Sequence, residues 1–273
     1  MTIRPSSLIS ATVIALACHS AVAAPAKHGR APARSPAGAG NVYQQFRGPN
    51  GLVIRWVPDQ MPLKVYVAPG TSLDSLVDPA LGASYMCVDD KEQWPDVVAN
   101  VVQKKGQLGS LPQAVGYVPQ HYEAAVQGIN SWQKYSGGLY SYQITQDPTD
   151  ADIYVFWTNH FVNKLGLGLF ENDIRGYTAK RSFPYKAIMA GQRAQFRPVV
   201  TLLRTTEGGA GTPMRLGWMQ ASAAHEFGHA LGIEGHSTNP NDLMSIYYGH
   251  GVISANDAAT IRYLYKAPVD YIP

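Results

Sequence analysis

Apolar residues recur along this chain at two spacings, and each change of spacing marks a change of element. Leu63-Lys64-Val65-Tyr66-Val67 alternates between a preceding proline and a following glycine, which predicts a strand. Trp94, Val97, Val98 and Val101 recur at helical spacing and predict a helix over 94–105. Tyr122, Ala125, Val126, Ile129 and Trp132 form the stripe of an amphipathic helix over 119–134, which Gly137-Gly138 ends. After Asp152 the run Ile153-Tyr154-Val155-Phe156-Trp157 is apolar at every position, the pattern of a central strand covered on both faces. Residues 165–177 are glycine-rich and irregular, and the PVVTLLR run at 198–204 predicts another strand. Residues 214–231 contain no proline and are rich in Ala, Leu and Met, so a long helix is expected there. Thr212-Pro213 suits its start and Gly232 its stop. Ser254 is placed to cap a closing helix through Tyr265, with Ala258, Ile261 and Leu264 turned inward.

The long helix carries the chemistry. His225-Glu226-Phe227-Gly228-His229 has the form H-E-x-x-H. On a helix His225 and His229 lie one turn apart on the same face, where two neutral imidazoles can hold one Zn²⁺ at about 2.0–2.1 Å. Glu226 is the next residue round the helix, badly placed to ligate beside them and well placed to act on water as general base. Past Gly232 the chain can reverse and bring His236 toward the same point. Three histidines leave a fourth tetrahedral position open, which separates a catalytic zinc from a structural one. Asp242 is the alternative third ligand; no glutamate follows Glu234, which closes the route through a downstream glutamate.

HEFGHALG at 225–232, then Gly235-His236-Ser237 and Asn239-Pro240-Asn241-Asp242-Leu243-Met244, resembles the metzincin metalloproteases, most closely their bacterial matrixin-like branch. His236 lies one place later than the pattern H-E-x-x-H-x-x-G-x-x-H asks, with Gly235 as the added residue. The resemblance implies an α+β fold: a mixed, mostly parallel twisted sheet with an antiparallel edge strand, an active-site helix and a C-terminal helix. It implies a zinc metalloendopeptidase with one catalytic Zn²⁺ on His225, His229 and His236, and Glu226 as the catalytic base. Met244 would be an apolar floor beneath the metal, and Tyr247 or Tyr248 a wall of the pocket or a group near the oxyanion. It further implies that substrate adds as a strand to the edge strand before the active-site helix, placed here near Val200–Leu203. His160, Glu171, Asn172 and Asp173 do not reproduce the family's structural zinc and calcium loop, so Ca²⁺ has no supporting motif. The alternative function is a non-catalytic peptide- or partner-binding module on the same fold.

Composition narrows the setting. The chain has 273 residues, enough for one sizeable core, and a net charge of +3. Arg4, Lys27, Arg30 and Arg34 are the basic residues of 1–40, which hold no acid; the remainder carries 18 basic against 19 acidic residues. No basic field is left to favour nucleic acid. Arg4, the apolar stretch Leu8 to Ala17 and Ala21-Val22-Ala23 read as a secretory signal over 1–23, too short to span a bilayer. Residues 24–41 hold no large apolar side chain and read as a disordered linker or short pro-segment. A catalytic domain is expected over 42–273, with an insertion at about 70–118. With Cys18 lost alongside the signal, Cys87 stands alone and no internal disulfide forms. The expectation is a secreted or periplasmic monomer acting on peptide or protein, without stable membrane insertion.

Overall fold

A computed structural model describes residues 42–47, 51–74, 85–104, 107–162, 174–182, 196–207, 211–247 and 251–269, with backbone alone at 85–90, 162, 181–182 and 196–197. The predicted signal and linker, residues 163–173 and Tyr248 lie outside the described residues, as does the side chain of Cys87. Among the described residues no helix is long and apolar enough to cross a membrane.

Strands β1 (Leu63–Ser72) and β2 (Tyr85–Cys87) precede helix α1 (Trp94–Gln103) and helix α2 (Pro119–Asn130). Strands β3 (Tyr142–Thr145), β4 (Ile153–Thr158), β5 (His160–Val162), β6 (Gly176–Ser182) and β7 (Phe196–Arg204) follow. The short strands β8 (Thr206–Glu207) and β9 (Thr212–Pro213) lead into helix α3 (Leu216–Ala230), and helix α4 (Ala255–Lys266) closes the domain. The main sheet runs β3-β1-β4-β7-β6. Its first four strands are parallel and β6 is antiparallel to β7, so the fold is the mixed α+β arrangement expected. β2 pairs with β5, and β8 with β9, in two small separate sheets.

Alternation along the strands shows how both faces are filled. Trp157 stacks on His121 of α2, and Tyr142 meets Phe227 of α3 edge-on at 4.8 Å between centroids. Tyr154, of opposite parity to Trp157, borders Ala99 and Val102 of α1. Trp94 of α1 stands edge-on to Tyr177 of β6. The sheet is thus held between α2 and α3 on one face and α1 on the other, and all six residues of β4 are buried.

Helices α2 and α3 pack backbone to backbone. A Cβ at Gly128 would lie 2.2 Å from the carbonyl oxygen of Gln220, so only glycine fits the crossing. This close approach rotates α2 from its expected stripe: Ala124, Ala125, Gly128 and Ile129 are buried with His121, while Tyr122 and Val126 are only partly covered. α4 matches expectation, with Ser254 Oγ accepting from the N–H groups of Asn256 and Asp257 and Ala258, Ile261 and Leu264 in the core.

Two expectations need correction. β7 is not an edge strand; β4 and β6 flank it, and the antiparallel edge is β6. β6 was not foreseen: only Gly176 and Tyr177 fall in the stretch read as irregular, and the inward positions Gly176, Thr178 and Lys180 give no apolar alternation. The active-site helix starts at Leu216, because Thr212–Pro213 is spent on the β8–β9 pair.

Candidate metal centre and cleft

His225 and His229 project from the last turns of α3, both buried, and His236 reaches them from the loop beyond. The ring centroids lie 4.7–5.2 Å apart. One nitrogen from each falls within 4.8 Å of the others, making these three residues a group that could hold a metal ion. Asp242 is not part of this group.

The outer nitrogens of the two helical histidines are fixed by backbone. His225 Nδ1 donates to the carbonyl of Leu243 at 2.7 Å and His229 Nδ1 to that of Ile233 at 2.8 Å. A carbonyl can only accept, so each Nδ1 carries the hydrogen and each Nε2 presents a lone pair. Burial holds His225 down to about 4 and His229 well below the usual imidazole range, which keeps both neutral. His236 is lowered by burial and then by Lys180. His229 Nε2 and His236 Nε2 stand 3.1 Å apart. That is close to the edge of about 3.3 Å in a zinc tetrahedron with bonds of about 2.0–2.1 Å. Lone pairs on the two helical imidazoles and three ring nitrogens within 4.8 Å of one another fit a divalent cation of borderline softness.

The loop carrying His236 is held from both sides. Gly232 takes φ +117°, the left-handed region expected of a helix stop, and donates to the carbonyl of His229. The N–H groups of Glu234 and Gly235 both reach the carbonyl of Gln44, at 3.1 and 3.0 Å. A Cβ at Gly235 would lie 2.7 Å from that of Gln44. The residue by which this loop exceeds the family spacing is therefore absorbed against the N-terminal segment, at a position with room only for glycine. Beyond His236, Ser237 N donates to Met244 O at 2.7 Å and Ile246 N to Ser237 O. Met244 is fully buried under α3; a Cβ at Gly228 would lie 2.5 Å from its Sδ. Tyr247 is exposed, and the turn gives Ser245 and Ile246 to the cleft wall.

Asp242 bonds side chains in its turn, accepting from Ser237 Oγ at 2.6 Å and from the Tyr43 hydroxyl at 2.9 Å. Sequence reasoning passed over Asp257 as a site residue. It accepts from Leu243 N, Met244 N and Ser254 N and shares the Tyr43 hydroxyl hydrogen with Asp242, so it holds the turn whose Leu243 carbonyl orients His225. The Ser254-x-x-Asp257 spacing of a helix cap was its only signal.

A cleft of about 400 Å³ opens over the histidines, lined among others by Phe46, Tyr177, Lys180 and Glu226. Glu226 is buried, and burial pushes its carboxyl up to about 7 against the pull of Thr178 and Lys180. Lys180 reaches across from β6 to donate to the carbonyls of His229 and Ile233, at 2.9 and 3.3 Å. Its ammonium also sits 4.0 Å from the centre of the Phe46 ring. Burial lowers its pKa, opposed by Glu234 and Glu226. With Trp56 Nε1 on Ala230 O and the Tyr265 hydroxyl on Leu231 O, the carbonyls of His229, Ala230 and Leu231 each find a side-chain donor, while those of Phe227 and Gly228 accept from the N–H groups of Leu231 and Ile233.

No curated protein matches this chain. A family model described as matrixin matches residues 120–266, more than half of its length. The match takes in α2, the sheet from β3 to β7, α3 with its histidines, and α4: the chain belongs to the matrixin family of zinc metalloproteases.

Proposed function

We infer that the protein is a zinc-dependent endopeptidase in which His225, His229 and His236 hold the metal and Glu226 is the general base. One observation carries this reading: three imidazole nitrogens converge in a cleft where Glu226, the one deeply buried acid among the described lining residues, is kept out of the ligand group. A bound zinc supplies the Lewis acidity that makes water nucleophilic near neutral pH and polarises a carbonyl.

The chain's own residues do the rest. β6 pairs on one side with β7, and the other side is its open edge among the described residues, beside the cleft. An extended peptide can add there by main-chain hydrogen bonds and lie between β6 and the histidines. Glu226 takes a proton from the attacking water and returns it to the departing amine nitrogen. A carboxyl raised toward neutrality can serve both transfers. The N-terminal Leu8 to Ala17 stretch and Ala21-Val22-Ala23 support work outside the cytoplasm, secreted or periplasmic.

Digestion of fluorescein-labelled casein tests the reading. The expected result is endoproteolytic cleavage, abolished by a zinc chelator and restored by stoichiometric zinc. Zinc-loaded, folded protein that binds casein without cutting it would favour the binding module instead.

A further inference from the structure

We propose that Thr178 is a positioning residue for Glu226, seating its carboxylate against β6 with Gly176 as the clearance that lets it sit there. The proposal rests on the role of Glu226 given above and adds the part of the edge strand that holds it.

β6 presents alternate residues to α3, and three of them follow the helix in order. Gly176 and Thr178 meet Glu226, and Lys180 meets the carbonyls of His229 and Ile233. The Thr178 hydroxyl lies 2.8 Å from Glu226 Oε2 and 3.0 Å from both the Glu226 carbonyl and the Thr201 hydroxyl. A hydroxyl has one hydrogen to give. An ionised carboxylate only accepts and makes the stronger bond, so that hydrogen goes to Oε2. Thr201, on the neighbouring position of β7, then donates to Thr178 and fixes its rotor. Thr201 is itself buried, which leaves this short chain of hydroxyls one direction to point.

Gly176 completes the seat. A Cβ there would stand 2.5 Å from Glu226 Cγ and 3.0 Å from Cδ and Oε1. Its backbone is not in the left-handed region, so room for the glutamate is what the structure requires of it. Oε2 is thereby tied to Thr178 and Oε1 rests over the bare backbone of Gly176, beside the cleft. A free glutamate side chain loses much rotamer freedom when held at one position. Here the fold has spent that entropy before substrate arrives, and the edge strand that receives the peptide also aims the base.

The test is the kinetics of Thr178→Val, Thr178→Ser and Gly176→Ala on fluorescein-labelled casein, with Glu226→Gln alongside. Thr178→Val keeps the shape and removes the hydroxyl. It should lower apparent kcat about 10- to 100-fold, the range for a lost hydrogen bond to a charged group, with apparent KM within about two-fold and zinc content unchanged. Thr178→Ser should recover activity to within about three-fold of wild type. Gly176→Ala keeps every hydrogen-bonding group, pushes the carboxylate off its seat and should show the same fall in kcat, so it serves if the valine variant fails to fold. Wild-type kcat in Thr178→Val, or equal losses in the valine and serine variants, overturns the proposal. Full activity in Glu226→Gln overturns the base assignment and this seat with it; an inactive Glu226→Gln beside an unimpaired Thr178→Val sinks the seat alone.

Discussion

Glu226→Gln should lower kcat on casein by about 10²- to 10⁴-fold, the span that general acid–base catalysis supplies. The change is nearly isosteric. The amide can still meet the Thr178 hydroxyl, and Glu226 is not one of the three residues of the ligand group, so fold and zinc content should stay as they are. The amide cannot accept a proton at neutral pH, so both transfers assigned to this position are lost together. Steady-state kinetics with metal analysis on the same preparation checks this. A variant that keeps zinc and turns over at the wild-type rate removes Glu226 from the mechanism.

Asp257→Ala should cost about 3–5 kcal/mol of stability, the scale of removing one partner from a buried charged network. Asp257 is fully buried, accepts from three backbone N–H groups and shares the Tyr43 hydroxyl hydrogen with Asp242. Alanine leaves those donors facing each other without an acceptor and removes half of the α4 capping box. For a domain of this size each kcal/mol moves Tm by roughly 2–4 °C, so a fall of about 10 °C is expected in a thermal melt. Asp257→Asn keeps one acceptor oxygen and should fall between the two. Because the Leu243 carbonyl orients His225, the alanine variant should also hold zinc more weakly. A melt within about 2 °C of wild type would mean that the turn is held by something else.

The metal centre was legible because its chemistry is local. Two histidines at a spacing of four on a good helix and a glycine stop after them need no knowledge of distant chain. β4 was legible for the opposite reason: burial on both faces leaves an unbroken apolar run. β6 escaped because its inward face carries glycine, threonine and lysine selected by the site and not by a core. Without it the edge was assigned to β7, one strand too far in. The contacts of Gln44 with Gly235 and of Tyr43 with Asp242 and Asp257 join residues about 190–215 positions apart, and no periodicity announces such pairs. Gly128 is similar: its partner is the backbone of another helix, which only the folded crossing reveals.

Lys180 shows how the two kinds of information meet. In the sequence no periodicity singles it out; in the fold it ties the open edge strand to the C-terminal end of the metal-binding helix. The cleft therefore has walls joined by side chains of β6, and its width is set by the same strand that a peptide would extend.

The central claim is that three imidazoles share one zinc ion. Zinc-edge X-ray absorption on the purified protein, compared with His236→Ala, tests it most directly. Three imidazole nitrogens at about 2.0–2.1 Å with one oxygen scatterer, falling to two nitrogens and a much weaker affinity in the variant, is the predicted result. A spectrum and affinity that do not change when His236 is removed would contradict it.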